Sequence, residues 1–132
     1  MTAVSAPRRH RTATGGLLLA AAQFAGLAWF VFCLTLAVDR AAEFSSLPFL
    51  IDEDADMLSG WAWALPVGWT LSMGPLVAGL SVVATAILLI TRYAHGNRLL
   101  LAALIAGGLA AACTVAVGVG PDVQSVLGWL ND

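Results

Sequence analysis

The sequence predicts an all-α membrane protein. It has three transmembrane helices (N-terminal side in, C-terminal side out), a Trp-rich outer interfacial segment and a short C-terminal amphipathic helix. Three observations carry that reading. Of 132 residues, 60% are hydrophobic and only 11% charged, against about 45–50% and about 25% in soluble domains. That is too little charge to coat a water-facing surface, and the mean hydropathy of +0.88 agrees. The charges are also spaced: none falls between Arg11 and Asp39, Asp56 and Arg92, or Arg98 and Asp122. Each gap is long enough for the roughly 20 apolar residues that cross a bilayer core of about 30 Å. Finally, lipid leaves open backbone groups unsatisfied, so each crossing is expected to be a helix.

Residues 1–14 read as a cytoplasmic basic arm carrying Arg8, Arg9 and Arg11. Span 1 follows at 15–38. A signal peptide would have an apolar stretch of only about 7–15 residues ending at small residues. This run instead continues to Val38 and stops at Asp39-Arg40, so the span is read as retained. Residues 39–70 form an acidic outer loop whose Ser59–Trp69 stretch places Trp61, Trp63 and Trp69 at the interface.

The uncharged gap Met57–Thr91 overshoots a single crossing, and Pro66 and Pro75 divide it. Span 2 is therefore assigned to 71–91, with Pro75 in its first turns, where a kink costs least. The sequence leaves open whether Ser59–Trp69 is a separate interfacial helix or a continuation of span 2. Residues 92–98 are a cytoplasmic turn, and span 3 runs over 99–120 until Pro121-Asp122 stops it. Within 121–132, Val123, Val126, Leu127 and Leu130 recur at i, i+3, i+4 and i+7, one apolar helix stripe. That stripe predicts an amphipathic helix lying on the outer membrane surface, with Trp129 as a further anchor.

Orientation follows from arginine placement. Arg8, Arg9, Arg11, Arg92 and Arg98 flank the spans on one side and Arg40 alone on the other, and basic flanks favour the cytoplasm. The expected location is the plasma (inner) membrane, as a multi-pass protein. A lysine-free, alanine-rich composition points to a high-GC bacterial genome.

Several function classes are disfavoured. A net charge of −2 without lysine does not suit nucleic acid. No Asp, Glu, Lys, Arg or His lies inside a span, whereas ion relays need such groups at depth and a haem needs axial ligands there. The reading is therefore no enzyme, no catalytic residues and no cofactor. Asp52, Asp54 and Asp56 alternate like the first ligands of a calcium loop, but Met57 and Trp63 stand where that loop needs Gly and Glu. A solvated acidic loop is the main reading, with metal binding at the three aspartates as its alternative.

The positive signals concern packing. Small residues spaced by four let helices approach closely. They occur as Ala103/Gly107/Ala111 and Gly108/Ala112 in span 3, Ala22/Gly26 in span 1 and Gly74/Ala78 in span 2. Gln23, the deepest strongly polar residue, is expected to hydrogen-bond to Thr or Ser of a neighbouring helix. Cys33 and Cys113 come out at similar depth. They are read chiefly as small buried hydrophobes, with a thiol pair as the alternative, which would need Cα atoms within about 7 Å. The function expected is a small structural or accessory membrane protein, a subunit or assembly partner of a membrane complex. Its partners are the lipid bilayer and a membrane protein or a second copy. The competing expectation is an oligomeric transport or pore-forming component for an apolar or small solute.

Overall fold

A computed structural model of the chain describes residues 8–45 and 60–131. They form four helices: α1 (Arg8–Ser45), α2 (Ala64–Ile90), α3 (Arg98–Gly118) and α4 (Pro121–Asn131). The first three are each long and apolar enough to cross a membrane, which makes this a multi-pass membrane protein. At about 1.5 Å per residue, the 21 residues of α3 span about 31 Å, one bilayer core. The 38 residues of α1 and 27 of α2 overrun that thickness.

α1 and α3 run side by side in one direction, and α2 returns antiparallel, packed against both. Gly16 lies beside Leu100 and Gly107 beside Ala20, whereas Gly74 faces Phe30 and Gly108 faces Thr85. Two apolar clusters mark the two ends. Near the α2–α3 turn, Ala94, Leu100 and Leu104 are buried against Leu88, Leu89 and Tyr93. At the opposite end, Phe30, Cys33 and Ala37 of α1 meet Val67 and Leu71 of α2 and Val123 of α4. Elsewhere many large apolar side chains point outward, Ile90 being 80% and Leu65 76% exposed, while Ala20, Ala110 and Ala111 are buried at mid-bundle. Such a surface is stable only against lipid or another apolar partner.

The segment left open by the sequence is resolved in part. Helix α2 starts at Ala64, so Pro66 and Trp69 belong to its opening turns rather than to a separate helix. Pro66 is harmless there because the first N–H groups of a helix lack internal partners anyway. The early start also moves Pro75 into the helix interior, not into its first turns as expected. Its missing N–H leaves the carbonyl of Leu71 without the usual i→i−4 donor. The ring itself finds room because Gly118 of α3 has no side chain: a Cβ there would collide with Pro75 Cγ.

The α2–α3 turn closes by hydrogen bonds that run back into α2. Tyr93 N–H donates to Leu88 O at 3.0 Å and Arg92 N–H to Leu89 O at 3.2 Å, the paired 6→1 and 5→2 pattern of a Schellman end. Arg92 takes the left-handed backbone this motif requires (φ 55), as does Gly96 (φ 83). Asn97 then caps α3, its side chain accepting from Leu100 N at 3.1 Å.

The expected short fourth helix is present, and the described part of its apolar stripe faces protein. Val123 is buried in the end cluster, with Val126 and Leu127 packed against it. The reason is the overrun of α1 and α2, which leaves apolar helix surface beyond the end of α3 for α4 to cover. The Leu130 side chain lies outside the described residues. Gln124 fastens the arrangement, its Nε2 donating to the Gly118 carbonyl at 3.0 Å. That carbonyl sits in the last turn of α3, where internal donors run out. Replacing Gln124 by Ala should cost about 1 kcal/mol and speed hydrogen exchange in α4 while leaving α1–α3 unchanged. Unaltered exchange in α4 would contradict this role.

Candidate functional site

Two features could support a function: a polar junction at mid-bundle and a groove that opens from it toward lipid. The junction is built around Gln23 of α1, which is buried. Its Nε2 donates to Thr85 Oγ1 at 2.8 Å and to the Ser81 carbonyl at 3.2 Å. Thr85 Oγ1 in turn donates to Ser81 O at 2.9 Å. The interhelical bond expected of Gln23 is thus present, and it ties α1 to α2. The amide rests on Gly107 of α3, where any Cβ would strike Gln23 Oε1 and come within 2.9 Å of the Ala20 backbone. Next to it, a Cβ at Gly108 would press on Thr85 Cγ2 at 3.1 Å. Three helices meet here because one brings an amide, one a hydroxyl and one no side chain at all.

From this junction a cavity of about 510 Å³ runs between α1 and α2 toward the α4 end, within the usual size range of ligand pockets. Ala22, Gly26 and Trp29 line one wall and Trp69, Met73 and Val77 the other. Most of its polar groups are engaged, but Gln23 Oε1, buried at the junction end, has no hydrogen-bond partner among the described residues. Trp29 Nε1 donates to Thr70 Oγ1 at 3.0 Å, and Ser81 Oγ to Ala78 O at 2.8 Å. None of the lining residues is ionisable, so the groove offers van der Waals surface rather than acid–base chemistry. Above it an aromatic series continues, Trp29 to Phe32 at 5.7 Å and Phe32 edge-on to Trp63 at 6.0 Å.

A second cavity, of about 430 Å³, lies at the α2–α3 turn and is lined by Arg92, His95, Asn97 and Arg98 over Leu89 and Leu101.

The residues singled out from sequence fall into distinct places. Gly74 stands where a Cβ would come within 2.9 Å of the Phe30 ring, and Gly107 and Gly108 sit at the junction. Ala111 is buried and Ala103 half-buried. Gly26 differs: nothing lies within 4 Å of a Cβ built there, and Ala22 beside it is exposed. Trp61 packs on the end cluster, whereas Trp63 and Trp69 are exposed. The Trp129 side chain and Asp52, Asp54 and Asp56 lie outside the described residues. Cys33 and Cys113 are both free thiols, the first buried and the second exposed. The expected similar depth is not met: Gly74 meets Phe30 and Gly118 meets Pro75, so Cys33 lies at the end of α3, in the cluster with Val123 of α4, whereas Cys113 sits lower, within α3.

Three features went unread in the sequence: the groove, the Pro75–Gly118 fit and the seat of Gly16 under Leu100 and Tyr93. Gly16 and Gly118 carried a signal of sorts, since both are glycines near span ends, but their partners depend on helix rotation.

Protein-family models, curated proteins and solved structures were all compared with the chain, and none matches it.

Gly107→Leu should abolish the monodisperse folded protein in detergent, since backbone rather than a movable side chain stands in the way. Gln23→Ala should lower unfolding stability by about 0.6–1.7 kcal/mol. Gly26→Leu, entering open space, should leave the unfolding midpoint unchanged. A well-folded Gly107→Leu variant would refute the assigned close crossing.

Proposed function

We propose that the chain is a structural or accessory subunit of a membrane complex. Its α1–α2 groove would receive an apolar transmembrane helix of a partner. The observation that carries this is Gly26. Together with Ala22 it presents a small-xxx-small pair, yet among the described residues nothing lies within 4 Å of a Cβ built at Gly26, and Ala22 is exposed. Such pairs let a helix backbone approach closely and gain dispersion contacts in lipid. The groove they border is almost wholly apolar and opens sideways, Gln23 Oε1 being its one buried polar side-chain atom without a partner among the described residues, which suits a helix better than a strongly hydrated solute. The reading assigns no catalytic role to any residue.

The proposed topology places the segment before α1 and the α2–α3 turn in the cytoplasm, and the acidic loop and α4 outside, in the plasma membrane of a bacterium. It is supported by the five arginines on one side of the spans against Arg40 on the other. A second reading, an oligomeric carrier of an apolar or small solute, draws on the cavity volume of about 510 Å³.

Two measurements check these statements. A green fluorescent protein joined after Asp132 and exported unfolded should stay dark, and a bright fusion would overturn the orientation. Affinity purification from native membranes should recover a stoichiometric membrane partner that Gly26→Leu releases while its own unfolding midpoint holds. Retention of that partner by Gly26→Leu would count against the groove. Recovery of a homo-oligomer alone, with solute uptake in reconstituted vesicles, would favour the carrier.

A further inference from the structure

We propose that the cavity at the α2–α3 turn binds the headgroup phosphate of an anionic phospholipid in the adjoining leaflet. Arg92, His95 and Arg98 line it together with Asn97, and Leu89 and Leu101 form its apolar side. Both arginines are exposed, and a guanidinium binds phosphate oxygens through two parallel N–H donors. The location suits a lipid: the turn joins two membrane-spanning helices, and Ile90 and Leu99 beside it are 80% and 73% exposed. A phosphate held by the arginines would leave its acyl chains against those side chains.

Charge complementarity identifies the occupant as anionic. The sequence has no Asp or Glu from Met1 to Val38 or from Met57 to Pro121, so neither the start of α1 nor the turn contains an acidic residue. The same end carries further positive charge. Gly15 and Gly16 of α1 lie beside Tyr93 and Leu100, which sets the opening turns of α1, with Arg8, Arg9 and Arg11, at this end. Basic pockets between transmembrane helices bind anionic headgroups, and each arginine near an anionic surface adds roughly five-fold in affinity. The opposite end combines Arg40 with Glu43 in an ion pair of 2.8 Å. It therefore lacks this uncompensated basic character.

The test uses the full chain purified in detergent, with bound lipid read by native mass spectrometry. Phosphatidylglycerol should be retained at least about twenty-fold better than phosphatidylcholine. The double variant Arg92→Gln/Arg98→Gln should bring retention down to the phosphatidylcholine level, a loss of about twenty-fold. Arg40→Gln, at the far end, should behave as the unaltered protein. If the double variant does not fold, the unaltered protein still decides. Its preference for phosphatidylglycerol should decline as ionic strength rises from about 0.05 to about 0.5 M. Equal retention of the two lipids, or an equal loss in Arg40→Gln, would overturn the proposal. Complete displacement by millimolar inorganic phosphate would overturn it too, by making the cavity a site for soluble anions.

Discussion

Helices in hydrocarbon gain little by covering one another's apolar side chains, because lipid tails cover them equally well. What holds this bundle is close approach, and at the crossing of α1 and α3 Gly107 meets the backbone of Ala20 itself. The Gln23 amide fills the remaining space there and reaches across to Thr85 and Ser81 of α2. Fixing α1 against α3 at that level sets the rotation of both helices. It brings Gly16 under Leu100 at one end and leaves Gly118 open for Pro75 at the other. The lateral groove follows from the same constraint. With α1 drawn toward α3 and joined to α2 at the Gln23 level, the small residues Ala22 and Gly26 are left exposed among the described residues.

The two ends of the molecule solve different problems. At the turn end, helices of unequal length are joined by a tight reversal that needs left-handed backbone at Arg92 and Gly96. Glycine takes that conformation freely, whereas a residue with a Cβ does so at some cost in strain. At the other end α1 and α2 run on past α3, and their facing apolar surfaces are covered by α4 through Val123. Val123, Val126 and Leu127 of the amphipathic stripe therefore find protein contacts within the chain.

Much of this was legible in the residues and some was not, for physical reasons. Spans bounded by charges are one-dimensional information, so the three long helices and the short fourth one could be read directly. Gln23 could be singled out because a lone amide among apolar residues must find a partner, and Thr85 supplied it. Rotation about a helix axis is three-dimensional information. Ala22/Gly26 and Ala103/Gly107 have the same spacing in the sequence, yet Gly107 is pressed against α1 and Gly26 faces open space. Cys33 and Cys113 differ in height as well, because α1 carries Cys33 on to the α4 end while Cys113 stays within α3. Pro75 was misplaced for a different reason. A span beginning at 71 puts Pro75 in its first turns, but the helix begins at Ala64, where Pro66 can be tolerated.

Pro75 lies at the height of the groove, between Gly74 and Val77 on its α2 wall. The backbone bond it deletes makes this the most compliant point along α2, since helices bend where the i→i−4 ladder is interrupted. The segment above it is anchored to α1 and α4 through Val67 and Leu71, and the segment below to Gln23 through Ser81 and Thr85. Flexure at that joint would change the width of the groove while disturbing neither anchorage. A cleft bounded on one side by such a hinge can adjust to occupants of different girth at small energetic cost.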